Sequence, residues 1–374
     1  MKNNNRIAIV GAGIAGIALA ILATKQGYQV SLYERDSKVS SIGAGVTLWP
    51  NAIFVLQQLG LEKEIKRIGG VPSYMRQFDQ YGIQQGEFNI QEVNILSGFA
   101  SVTILRCDLM NILAEALADL GVKIFFNCSI TAEDIDGLKQ EFDLVVGADG
   151  RMNSVVRQTL YPKKVQPCYQ GFINIVGISQ LKGDVLDNVI HDFRGQGERF
   201  GIVPVKAGLC FWAGGWSTHI DKARPLSTWY DEMHQRFMNW PDPVQNVLKS
   251  YEKSSLNRIF VHDLDPLPYW HQDNVLIIGD AAHASLPTSG QGACQALEDA
   301  WDLAQKLEKK DDLDNILTDF YQQRIVKTSA AQASGRQLAQ RIFTDCCKPQ
   351  PSVLSISAEQ LSAFWMQGLE MKSP

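Results

Sequence analysis

RIAIVGAGIAGIALAILATKQGYQVSLYE, residues 6 to 34, holds three glycines whose spacing decides the fold. RIAIV (6 to 10) is a short β-rich apolar run that ends at a glycine, so it reads as a buried strand. IALAILATKQGY has helical texture and closes near Gly27, and QVSLYE reads as a second strand ending at Glu34. Gly11, Gly13 and Gly16 thus form a G-x-G-x-x-G between a strand and a helix. Gly11 permits the tight turn, Gly13 lets backbone approach a pyrophosphate, and Gly16 lets helix and strand pack closely. Unpaired N–H groups at the helix start offer positive potential to phosphate. Glu34 suits the two hydroxyls of an adenosine ribose and would repel a 2′-phosphate, which leaves NAD or FAD for this site. Ala15 and Arg35 flank these positions and join the candidate cofactor contacts.

The same run has a basic start, an apolar stretch and small residues, the texture of a secretory leader. The glycine spacing explains it better, and the apolar stretch falls short of a membrane span. The expectation is mature cytoplasmic protein without stable membrane insertion, monomeric or homodimeric. With 45% hydrophobic and 20% charged residues the chain is ordinarily globular. A net charge of −5 with scattered Lys and Arg gives no footprint for nucleic acid. Seven cysteines without a C-x-x-C pair fit free thiols in a reducing compartment. The adjacent Cys346 and Cys347 read as helix surface rather than a redox pair.

A chain of 374 residues suggests two domains or one with an insertion. CDLMNILAEALADL (107 to 120) is helical, VKIFF is strand-like, and DLVVGADG runs from a buried parallel strand into a loop. From about 160 to 268 short alternating runs such as GFINIVGIS, RFGIVPV and LCFWAGGW predict a mostly antiparallel sheet. Parallel-strand texture returns at VLIIGD, followed by a helix over about 292 to 309. The expected class is α/β. A Rossmann-like dinucleotide domain takes residues 1–72, 101–160 and 270–330. An inserted substrate domain takes 73–100 and 161–269, and a helical segment takes 331–374. The amphipathic tail from about 351 is expected to pack on the core.

IIGDAAHASLPTSGQG (277 to 292) contains Asp280, His283 and Ser285, the ingredients of a hydrolase. The three are too close together, and no G-x-S-x-G elbow exposes a nucleophile. His283 reads as a packed imidazole bonded to backbone. None of the six histidines shows H-x-x-x-H or H-E-x-x-H spacing, so no metal is expected. The loop reads as a cradle. A second motif, DLVVGADGRMNSVVR (143 to 157), sets Asp149 past a strand, either as a crevice ligand or as a loop cap.

Together GAGIAG with Glu34, GADG with Ser154 and Arg157 behind it, Arg106 in ILRCDL, and GDAAHASLPTSGQG resemble the single-component FAD-dependent aromatic hydroxylases. These are the para-hydroxybenzoate hydroxylase-like flavoprotein monooxygenases, and the resemblance spans residue 6 to roughly 330. WPNA (49 to 52) and the run from VHDLDP to GDAAH look similar to the compact members acting on salicylate-like or urate-like rings. The resemblance implies FAD, with NADH or NADPH as a transient reductant, O2, and a C4a-hydroperoxide that hydroxylates a small aromatic or heteroaromatic substrate. It implies that Asp280 bonds the ribityl chain, that Asp149 serves flavin and nicotinamide, and that Arg106 reaches the ribityl or pyrophosphate region. Pro287 would lie beside the reactive flavin edge. Gly290, Gln291 and Gly292 would present N–H groups to its N1–C2 side, with Gly45 and Gly43 giving the ring room to move. Pro287, Gly290 and Gly292 are therefore the catalytic candidates. Stabilisation of a reduced flavin at Gly292 has a physical basis in the helix start there.

The substrate pocket is expected between flavin and inserted sheet, with Phe172, Phe211, Trp212 and Trp216 as candidate walls. Arg199 is the candidate partner for an anionic or carbonyl-bearing substrate, with a surface salt bridge as the alternative. Two other activities stay open: an oxygenase inactivating a polycyclic, tetracycline-like compound, and a non-oxygenating flavoprotein reductase.

Overall fold

In the computed structural model, which describes residues 5–39, 44–162, 165–182, 186–309, 311–344 and 356–369, the opening run folds as strand, turn, helix and strand. β1 (Arg6–Val10) and β2 (Gln29–Tyr33) pair in parallel, Ile7 opposite Val30. Between them α1 (Ile14–Lys25) buries every residue from Ile14 to Ala23. A helix apolar all round must be covered all round. The sheet, the helix Arg106–Asp119 and the helix Gly292–Leu307 do so.

The glycines are required by contact. Gly11 has φ +105°, and a Cβ there would lie 2.4 Å from the carbonyl oxygen of Ala148. A Cβ on Gly16 would lie 2.0 Å from the Gly11 carbonyl oxygen. Neither clash can be relieved by a side chain, because the obstacle is backbone.

The six-stranded sheet runs His271–Gln272, Val275–Ile277, Leu144–Gly147, β1, β2, Ile124–Phe125. All neighbours are parallel except the first pair. The carboxyl ends of β1, β2, Leu144–Gly147 and Val275–Ile277 share one edge. The Gly11–Gly16 turn, Glu34, Asp149 and Asp280 follow those ends, at the position where open α/β sheets form their ligand crevice.

The seven-stranded sheet runs Asn257–Asp263, Cys168–Gln180, Leu209–Ser217, Glu198–Pro204, Val189–Arg194, Tyr74–Asp79, Gln84–Asn89. It is antiparallel apart from the Val189–Arg194 and Tyr74–Asp79 pair. One face buries Ile173, Ile175, Phe200, Ile202, Trp212 and Trp216 in a single core with Trp229, Met233, Phe237, Val244 and Val247. Those last five come from the amphipathic helices Leu226–Phe237 and Asp242–Ser250. The opposite face turns toward the flanking two-stranded ribbon Gly45–Leu48 with Val102–Leu105. There a Cβ on Gly45 would lie 2.2 Å from the Phe211 ring.

Leu313–Phe343, a 31-residue helix, spans the two sheets. Arg336 on it pairs with Asp263 of the large sheet at 2.6 Å, and Phe343 stacks on Phe172 at 4.1 Å between ring centroids. The tail helix Ala358–Met366 starts on a Ser357–Gln360 capping box and packs on the helices Ile90–Ser97 and Pro50–Leu59. Cys346, Cys347 and Gly43 lie outside the described residues. No helix among the described residues is long and apolar enough to cross a membrane.

Gly16→Ala places a methyl against backbone and is expected to cost about 2 kcal/mol or more of folding stability. Urea denaturation checks this, and an unchanged midpoint would show that the turn yields.

Candidate active site

The crevice begins at the glycine turn. Gly13 caps α1 without a side-chain hydrogen bond, and no acid occupies the first turn. The helix start therefore keeps its N–H groups free for an anion. Glu34, 9% exposed, holds the turn from behind. Its Oε2 accepts from Ala12 N at 2.8 Å and its Oε1 from Asp36 N at 3.0 Å. Each oxygen retains a second lone pair, so ribose hydroxyls still find acceptors. Ala15 is buried beside Gly279, while Arg35 is exposed.

Asp149 caps its own loop, one of the two roles that its position past the strand allowed. Its carboxylate accepts from Ser154 Oγ at 2.5 Å, Val155 N at 2.6 Å and Val156 N at 3.2 Å. Burial raises its pKa in spite of these bonds. The residue organises the start of the helix Val155–Leu160, and its oxygens face their own loop. Arg157, 1% exposed, fastens that loop by donating to the carbonyls of Ala281 and Arg151. Asp280 differs: its side chain is exposed and makes no hydrogen bond among the described residues. Arg106 sits close enough to feel its charge, and Arg106 Nε is buried without a partner.

The cradle loop packs on the long helix. Pro287–Ser289 forms one 3-10 turn, and Thr288 Oγ1 donates to the Gly335 carbonyl at 2.7 Å. Gly290 adopts φ +64°, beside Trp49 Nε1, which is buried without a partner. A Cβ on Gly292 would meet nothing closer than 3.8 Å, and the Gly292–Leu307 helix has no side-chain cap and no acid in its first turn. Ser285 Oγ bonds Ser289 Oγ, not His283. The imidazole departs from its expected backbone partner: Nε2 lies 2.6 Å from Asp299 Oδ2, with the ring against Trp270. A buried carboxylate out-competes a carbonyl for that nitrogen.

Behind the cradle lies a buried polar network that sequence reasoning missed. Glu298 is 1% and Asp299 0% exposed. Arg324 binds both, through Nη1 to Glu298 Oε2 at 2.5 Å and Nε to Asp299 Oδ1 at 2.8 Å. Lys327 Nζ adds 2.9 Å to Glu298 and donates to the Trp365 carbonyl of the tail helix. Asp299 Oδ2 also accepts from Gly279 N. Burial opposes each charge. For Asp299 the charges of His283 and Arg324 win, and its pKa is lowered. For Arg324 the two carboxylates win, and its pKa is raised. One signal was available, since Gln291, Gln295 and Glu298 fall on one helical face.

The sheet face opposite the tryptophan core carries the second group. Arg199 pairs in register with Gly215 and Arg194, and Phe211 shares that face by alternation. Arg199 Nε lies 2.6 Å from Asp192 Oδ1, and Arg194 Nη2 2.7 Å from Asp192 Oδ2. Asp192 is 2% exposed. Burial raises its pKa, but the two arginines outweigh this and the net shift is downward. Phe172 packs with Leu286, immediately before Pro287. Trp212 and Trp216 are corrections. Both sit on the other face, Trp212 stacked on Phe200 with Nε1 donating to Ser179 Oγ. Alternation puts Trp212 opposite in sense to Phe211, so the two cannot line one pocket.

A flavin dinucleotide fits this arrangement. Two helix starts are uncapped, glycines leave room at 13 and 292, and the indole N–H of Trp49 and Nε of Arg106 are buried donors without a protein partner. The comparisons agree. The model of the FAD binding domain family matches residues 4–324. The FAD-dependent urate hydroxylase of Klebsiella pneumoniae is 26% identical, over 84% of this chain and 85% of that protein. The 6-hydroxynicotinate 3-monooxygenase of Pseudomonas fluorescens is 29% identical, over 83% of this chain and 84% of that one. Among solved structures, Klebsiella pneumoniae HpxO complexed with FAD and uric acid superposes with a TM-score of 0.81 at 22% identity, covering 99% of this chain and 93% of that one. Tetracycline destructase Tet(55) superposes at 0.71 and 19% identity over the full length of both chains.

Asp302, in the same helix as Glu298, has its pKa raised to about 6 by burial, and its Oδ2 is buried without a partner. A raised acid binds its proton more tightly folded than unfolded. Its contribution is therefore full below the unfolded value near 4 and is lost as pH rises through about 6. Asp302→Asn is expected to gain about 2 kcal/mol at pH 7.5, a gain that shrinks toward pH 4. Denaturation midpoints at both pH values check this, and equal midpoints at pH 7.5 would refute it.

Proposed function

Because this chain belongs to the FAD-binding-domain family, among its compact flavin monooxygenases, we propose that it hydroxylates a small heteroaromatic ring bearing a negative charge or a ring carbonyl. Bound FAD supplies the redox chemistry, taking electrons from NAD(P)H and activating O2. The protein supplies binding, orientation and electrostatics. The Gly11–Gly16 turn and Glu34 hold the adenosine end, and Arg106 and Asp280 the middle of the dinucleotide. Pro287, Gly290 and Gly292 lie along the ring, with the Gly292 helix start offsetting negative charge on its N1 side. In this reading residues 1–72, 101–160 and 270–330 carry the flavin, and 73–100 with 161–269 the substrate. The five described cysteines are free thiols, which supports work in a reducing cytoplasm.

The observation that carries the substrate class is the Arg194–Asp192–Arg199 cluster. Two guanidinium groups share one buried carboxylate on the face that also bears Phe211 and Phe172. Such a surface favours an anionic or carbonyl-bearing ring over a neutral one. Aromatic walls beside a bound ring would keep water from the reacting centre. Urate hydroxylase and 6-hydroxynicotinate monooxygenase among the relatives support the same class.

The test is NADH and NADPH oxidation by FAD-loaded protein under labelled O2, with hydroxylated N-heteroaromatic acids and phenols, scoring peroxide and product mass together. One labelled oxygen in the product is expected. Reductant consumed productively without label would support a reductase instead, and label in polycyclic compounds alone would move the substrate class. Arg199→Met is expected to raise KM for an anionic ring about tenfold or more while FAD binding holds. An unchanged KM would remove Arg199 from the pocket.

A further inference from the structure

Hydrogen-bond polarity inside the buried network runs in one direction, and it ends at the cradle. Arg324 has donors and no acceptor. Its Nη2 donates to Gln295 Oε1 at 2.6 Å, which fixes the Gln295 amide with Nε2 on the other side. That nitrogen donates to Glu298 Oε1 at 3.0 Å and to Gln291 Oε1 at 3.1 Å. Asn51 Nδ2 donates to the same two acceptors, at 2.6 Å and 3.0 Å. The oxygen of Gln291 is therefore committed to the interior, gripped by two amides that Glu298 aligns. Gln291 itself is 3% exposed and is the residue immediately before the Gly292–Leu307 helix.

We propose that Glu298 is a positioning residue for the flavin, acting through Asn51 and Gln295 on Gln291 to hold the start of the Gly292–Leu307 helix with its free N–H groups toward the ring. The inference rests on the flavin reading and adds to it. Without the anchor, Gly290 and Gly292 would leave the loop between Pro287 and Ala293 free to turn its amides toward water. The left-handed φ of Gly290 and the open space at Gly292 allow that freedom. With the anchor, donors are fixed before negative charge arrives on the reduced ring, which is where preorganised amides act most strongly. Glu298 touches neither flavin nor substrate in this account. It works by fixing which atom of each amide faces where.

The experiment compares FAD-loaded wild type with Gln291→Met, Glu298→Gln and the double variant. Three quantities are read: the FAD dissociation constant by fluorescence quenching, the flavin midpoint potential, and the infrared band of the C2 carbonyl in FAD carrying 13C there. Gln291→Met leaves every buried charge in place. It is expected to weaken FAD binding about tenfold, with the reduced form losing more than the oxidised. Each tenfold difference between the two forms lowers the potential by about 30 mV for a two-electron couple. The carbonyl band is expected to rise as its hydrogen bonds weaken. Glu298→Gln should move potential and band the same way, and the double variant no further than the stronger single, since both act through one chain of contacts. Folded variants with wild-type potential and carbonyl band would overturn the proposal, as would additive shifts in the double variant. If Glu298→Gln fails to fold because Arg324 and Lys327 lose a counter-charge, Gln291→Met decides alone. Wild-type protein that binds no FAD would sink the flavin reading itself, a different failure from variants that bind FAD unchanged.

Discussion

Two carboxylates on consecutive residues, Glu298 and Asp299, are buried in one helix, and much of the site is arranged around that fact. Taking a carboxylate out of water costs several kcal/mol unless a cation and hydrogen bonds accompany it. Here the compensation comes from elements far apart in sequence. Arg324 and Lys327 arrive from the long helix, Gly279 and His283 from the loop after the last parallel strand, Asn51 from the helix Pro50–Leu59. Each partner brings its own segment into register. The ion network is thus the joint at which the loop after Ile277, the cradle and the tail helix meet.

The glycine turn sets a complementary constraint. Gly11 and Gly16 bring backbone within touching distance of backbone, so α1 lies against the sheet with no side chain intervening. Steric closeness on one side of the crevice and electrostatic closure on the other leave little freedom for the residues between. Besides the Arg336–Asp263 pair, two aromatic contacts hold the large sheet to this frame, Phe211 over Gly45 and Phe172 under Phe343. The arginine pair on Asp192 lies on the same face as both contacts.

Much of this was legible in the sequence, and the failures have physical causes. The strand–turn–helix around Gly11 is local, and local spacing identified it. The hydrolase alternative for residues 277–292 needed spacings that were absent, and Ser285 bonds Ser289 rather than His283. Trp212 was misplaced because LCFWAGGW has bulky and small residues at both parities, so periodicity could not say which aromatic faced the helices. Asp149 offered two readings, and its capping role depends on the N–H groups of Val155 and Val156, which point back at it only once the helix starts. For His283 the partner stands on a neighbouring helix, beyond what a short motif reveals. The Glu298 network draws on five segments, and pairing between distant segments leaves no periodic trace. The helical spacing of Gln291, Gln295 and Glu298 was the one part within reach.

The charge balance of that network has an evolutionary consequence. Two acids and two bases, all buried, compensate one another, so a single charge-changing substitution leaves one ion stranded in a low-dielectric interior. Drift at positions 298, 299, 324 and 327 must therefore pass through paired changes or not occur. The Arg194–Asp192–Arg199 cluster is under a looser rule, because both arginines reach solvent and water can screen an unmatched charge. A neutralising change at Arg194 or Arg199 therefore costs less than one inside the helix pair that carries Glu298 and Arg324.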